Sequence, residues 1–109
     1  MATHHASPFE IVDLESWADD LPREKTKVVA KTPDMELARL VIGAGERFPD
    51  HRVTGPIVVH CVEGEIEFSA GDETKTLKTN QLLYLQPGVP HSLRGIKASV
   101  VLLTIVFKH

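Results

Sequence analysis

From Lys25 onward, apolar residues alternate with polar ones or form short unbroken runs, interrupted at close spacing by glycine, proline, asparagine and aspartate. That pattern predicts short antiparallel strands. Lys25–Lys31 (KTKVVAK) and Met35–Ile42 (MELARLVI) flank Thr32-Pro33-Asp34, a turn-forming group, and predict a hairpin. Gly43-Ala44-Gly45 breaks the second strand, and a turn-rich loop carrying His51 follows. Ile57–Val62 (IVVHCV) is apolar on both faces apart from His60, as a strand covered on both sides should be. Gly64 permits a turn into Glu65–Ser69, and Ala70-Gly71-Asp72 closes a hairpin to Glu73–Lys78, polar enough for a solvated edge. Leu82–Leu85 (LLYL) is a buried strand; the Pro87–Pro90 loop delivers His91 to the next one. Ala98–Phe107 is a long final strand with two apolar faces.

The N-terminal quarter differs. Residues 1–8 are small and polar and predict a disordered tail, with His4 and His5 a mobile pair. Phe9–Leu14 predicts an edge strand. Within residues 15–24, Trp17 and Leu21 lie four apart and predict one helical turn packed on the sheet, ended by Pro22. Eight or nine strands and at most one helical turn, with no repeat or linker, define a single all-β domain over residues 1–109, an antiparallel sandwich or barrel. A final strand apolar on both faces needs cover on both, which a symmetric homodimer supplies.

Composition narrows the partners. The chain has 109 residues and a net charge of −3 with mixed signs, no basic field for nucleic acid or an anionic membrane. Its one cysteine, Cys61, excludes an intrachain disulfide. The start of the chain has no signal-peptide pattern, and no apolar run is long enough for a membrane helix. A soluble, cytoplasmic protein is the expectation.

The two histidine-bearing loops carry a resemblance. Gly45, five intervening residues and His51, closed by Gly64, resemble the first motif of small single-domain cupins; Gly88 and His91, after the LLYL strand, resemble the second. The similarity covers about residues 36–107. It implies an RmlC-like, cupin-2-type fold, a double-stranded β-helix or jelly-roll barrel of two facing sheets, occupying about residues 25–107. The departures fall on the metal ligands. The motif's second histidine falls at Val53 and its glutamate at Ile57. Asn80, Gln86 and Gly95 replace its glycine, proline and final asparagine, and Asn80 suits a left-handed turn.

His51 and His91 are therefore an incomplete metal set, since a stable divalent site wants at least three converging protein ligands. If Ile57 faces the barrel interior, strand alternation turns Val59, Cys61 and Glu63 inward and His60 outward. Cys61 is then the possible extra ligand, two inward positions deeper, though apolar filler is the favoured reading. His60 reads as an interface or second-layer residue. Arg39, among apolar neighbours, either reaches inward as a carboxylate clamp or, as favoured, snorkels to the edge. Tyr84 lines the pocket or fills core.

The expected site is a mostly apolar pocket of Val53, Ile57, Val59 and Cys61 with Arg39, His51, Tyr84 and His91, suited to a small organic ligand. No cofactor is certain; a weakly held Zn, Fe, Mn or Ni ion is the alternative, in an oxygenase or isomerase acting on a small carbonyl or aromatic compound. Fold alone leaves catalysis open.

Overall fold

The computed structural model describes residues 5–12, 27–51 and 54–107. These hold nine strands: β1 (Lys27–Lys31), β2 (Met35–Ile42), β3 (Arg47–His51), β4 (Ile57–Glu63), β5 (Glu65–Ala70), β6 (Glu73–Lys78), β7 (Gln81–Leu85), β8 (His91–Gly95) and β9 (Ser99–Val106). They form a five-stranded sheet in the order β1-β2-β9-β4-β7 and a four-stranded sheet in the order β3-β8-β5-β6. Every pairing is antiparallel. Among the described residues there is no helix, and none long and apolar enough to cross a membrane. The expected helical turn at 15–24 lies outside the described residues.

The expected β1–β2 hairpin forms, and Thr32 organises its turn: the Oγ1 atom accepts from the amides of Asp34 (3.0 Å) and Met35 (3.1 Å). Two expectations differ. Residues 9–12 are turn and coil, with Phe9 and Ile11 exposed, although the amide of Ala6 donates to the Val29 carbonyl at 2.7 Å. Arg47–His51, expected as loop, is a strand paired with β8 across a register shift. Its Pro49 removes a ladder donor, which an edge strand at an irregularity tolerates.

The core lies between the sheets. Ala38, Leu40 and Ile42 of β2, Ile57, Val59 and Cys61 of β4, and Val101 of β9 meet Ile66 and Phe68 of β5, Leu77 of β6 and Leu93 of β8. Gly64 carries the chain from one sheet to the other with φ +95°, and a Cβ there would collide with the Ser99 side chain and come within 2.6 Å of the Ala98 carbonyl. Ser99 clamps the same corner, accepting from the Glu65 amide at 2.9 Å and donating to the Lys97 carbonyl at 2.7 Å. At the next corner Asn80 has φ +68°, the left-handed turn anticipated for it, and its amide donates to the Cys61 carbonyl at 2.7 Å.

Candidate functional site

Register assembles the inner face of the four-stranded sheet row by row. His51 pairs with His91, His91 with Ala70, and Ala70 with Glu73. The next inward row runs Phe48, Leu93, Phe68, Lys75. The two loops thus bring positions 51 and 91, forty residues apart in sequence, to directly opposed places on neighbouring strands.

His91 is buried, and its ring stacks on Phe68 with centroids 5.6 Å apart. Its Nδ1 lies 3.1 Å from the Val89 carbonyl. A carbonyl oxygen only accepts, so in the neutral ring Nδ1 carries the hydrogen and Nε2 the lone pair. The ring borders a partly open cavity of about 80 Å³ whose other walls are Leu40, Phe48, Phe68, Ser92, Leu93 and Leu103.

Opposite, β4 shows the alternation its sequence implies. Ile57, Val59 and Cys61 are buried while Val58, His60 and Val62 are only partly covered. The alternation does not run on to Glu63, because the β4–β9 register shifts between Cys61 and Glu63 and leaves Glu63 exposed. The Cys61 thiol donates to the Glu63 carbonyl at 3.7 Å. Burial pushes its pKa up, the Glu65 carboxylate adds to the rise, and the bond to Glu63 opposes it. A raised thiol stays protonated and is a poor nucleophile. Cys61 also stands four residues along β4 from Ile57, roughly 13 Å at strand rise.

Arg39 and Tyr84 both belong to the outer face of the five-stranded sheet. Arg39 pairs with Leu102, between the inward residues Ala38 and Leu40. It neither enters the barrel nor snorkels to a solvated edge; it is 4% exposed and borders a cavity of about 590 Å³ with Val41, Glu46, Glu63, Ser99 and Val100. That cavity is larger than the one beside His91 but lies where β2 ends and β9 begins, and among the described residues no histidine borders it. Tyr84 pairs with Val58 and is 72% exposed. It touches instead a slot of about 150 Å³ between β6 and β7, whose walls include Glu73 and Lys75. The sequence reading passed over those two as edge-strand polar residues. The buried Leu77, on the same side of β6, is the signal that places them inward. Val53 lies outside the described residues.

A metal centre of the cupin type fits these residues poorly. Ile57, at the usual glutamate position, is an apolar side chain 2% exposed and packed in the core. Among the described residues no three His, Cys, Asp or Glu side chains converge on one point.

Two facing antiparallel sheets, with His51 and His91 paired at the ends of β3 and β8, define a small jelly-roll barrel protein. The chain belongs to the cupin family: the Cupin_2 cupin-domain model matches residues 38–107. A conserved Streptococcus pyogenes protein of unknown function superposes with a TM-score of 0.79 at 18% identity, covering 100% of this chain and 96% of that one. A cupin superfamily protein from Desulfitobacterium hafniense superposes with a TM-score of 0.82 at 14% identity, covering 99% of this chain and 100% of that one. A Thermus thermophilus protein shares 25% identity with a TM-score of 0.75, over 92% of this chain and 100% of the other. No curated protein gives a significant match.

Proposed function

We propose that this cupin barrel binds a small organic molecule in the cavity beside His91, without a resident transition metal. The observation that carries the reading is the His91 ring: buried, stacked on Phe68, tethered through Nδ1, and set in an otherwise mostly apolar wall. An oriented imidazole beside a greasy hollow suits a ligand that combines a polar group facing the ring with an apolar body against Leu40 and Leu103. The volume limits what enters: about 80 Å³ is roughly half of a cavity that holds benzene. A short alkyl chain bearing a hydroxyl fits that description; a bicyclic aromatic does not.

The pairing of His51 with His91 in register supports a second reading, a metal-dependent oxygenase or isomerase whose substrate completes the coordination. Elemental analysis of tag-free protein separates the two. Substoichiometric metal is expected, together with amide-shift changes on β8 when small alcohols are titrated into labelled protein, lost in His91→Ala. Near-stoichiometric transition metal that disappears in His51→Ala or His91→Ala overturns the metal-free reading.

We also propose that two copies associate through the outer face of the five-stranded sheet. Tyr84, Val58, Thr104 and Leu37 form one row there, and Leu82, His60 and Leu102 the next. Leu82 and Tyr84 are 60% and 72% exposed, and a second copy of the same mostly apolar face is the self-complementary cover for such a surface.

A further inference from the structure

The seam between β6 and β7 opens in one direction only. Each is the last strand of its sheet, and the turn at Thr79-Asn80 joins them. That end is tied shut: Thr79 Oγ1 accepts from the Gly64 amide at 3.1 Å, Gln81 Oε1 accepts from the Lys78 amide at 2.8 Å, and the Asn80 amide reaches Cys61. Away from the turn the strands part around a slot of about 150 Å³, with Phe68, Ala70, Leu83 and Leu85 as its apolar walls and Glu73 and Lys75 from β6.

Two charges of β6 are on the same side of the strand as the buried Leu77. Glu73 pairs with Ala70 and Lys75 with Phe68, both on the inward face, while Thr74 and Thr76 alternate outward. Inward-pointing charges on an edge strand guard it against pairing with other chains; these two also flank an apolar slot. Among the described residues neither Glu73 nor Lys75 makes an ion pair. One carboxylate and one ammonium, two residues apart beside an apolar slot, are the complement of a zwitterion with an apolar side chain. We propose that this slot binds a free apolar α-amino acid. Its carboxylate meets Lys75, its ammonium meets Glu73, and its side chain lies on Phe68, Leu83 and Leu85. The volume matches that of a cavity known to hold benzene, so a leucine-sized side chain enters and an indole does not. This site does not depend on the His91 cavity, with which it shares only the Phe68 wall.

The test is a titration of ¹⁵N-labelled full-length protein at low salt with L-leucine, with 4-methylpentanoate (no ammonium) and with isopentylamine (no carboxylate). Leucine is expected to shift amides of β5–β7 saturably and to bind about three-fold more tightly than either analogue, the scale of an exposed charge contact. Lys75→Met should make leucine and isopentylamine equivalent; Glu73→Gln should make leucine and 4-methylpentanoate equivalent. Both positions are exposed, so the variants should retain the native amide spectrum. Equal binding of the three ligands, preferences unchanged in the variants, or no saturable shift on β5–β7 overturns the proposal. The His91 reading is tested by different ligands on β8, so either can fail while the other stands.

Discussion

The two sheets of the barrel share one core and differ in what they show the outside. The four-stranded sheet turns Glu65, Glu67, Arg94 and Thr76 outward, with Arg94 held to Glu67 at 2.9 Å. Such a surface is complete in water. The five-stranded sheet turns Val58, His60, Leu82, Tyr84 and Leu102 outward, a mostly apolar run interrupted toward β1 by Arg39, which stands opposite Lys27 in register. The same alternation therefore has two outcomes. One strand set is amphipathic and finishes the molecule; the other is apolar on both faces and leaves a surface whose removal from water would be favourable at roughly 25 cal/mol per Å².

The sharpest way to break this contrast is to charge the apolar face. Leu82→Lys combined with Tyr84→Lys should raise the dissociation constant of the proposed dimer by about 100-fold or more, since aromatic anchors at an interface centre carry most of its energy. Sedimentation equilibrium measures it. The matching change on the other sheet, Ser69→Lys with Thr76→Lys, should leave association unaltered. A wild-type protein that sediments as a monomer at tens of micromolar would remove the reason for treating the two faces differently.

A smaller effect should come from the corner where the chain passes between the sheets. Gly64→Ala has to accept φ +95° and displace the Ser99 side chain and the Ala98 carbonyl. Left-handed strain and overpacking together should cost about 2–4 kcal/mol in urea unfolding. Gly71, at φ +60° with open space around its missing Cβ, should lose only about 1–2 kcal/mol on the same substitution. Equal losses would mean that backbone strain, not the crowded junction, sets the cost.

Much of this molecule can be deduced from residue order. Turn residues and alternation locate most of the strands and give the facing of Ile57, Val59, Cys61 and His60, because a strand has only two faces and Ile57 identifies one of them. Motif spacing brings His51 and His91 together. Other features resist for definite reasons. RFPDH lacks the apolar alternation of a strand because β3 is an edge strand at a register shift. Arg39 misleads because Leu37 and Val41, its companions on the outer face, are as apolar as Leu40 and Ile42 on the inner one, so parity has no polar side to read. Glu73 and Lys75 look solvated because they are; only the rows Ala70–Glu73 and Phe68–Lys75 show which side they occupy. Pairing register is a tertiary fact, and local pattern specifies it only where one face is distinctly buried.

The charged sheet supplies the smallest and most restrictive prediction. Arg94 contacts Glu67 through both Nε (3.1 Å) and an Nη (2.9 Å), a geometry that suggests strength. Yet the two side chains are 46% and 37% exposed, so water and salt screen the attraction and ordering two long side chains offsets part of it. Arg94→Met should therefore cost less than about 1 kcal/mol, and the difference should shrink further as ionic strength rises. A loss of several kcal/mol that persisted at high salt would mean that this pair helps hold the barrel together. The four-stranded sheet would then have a partly desolvated outer face of its own, and the contrast between the two sheets would weaken from the side that looked finished.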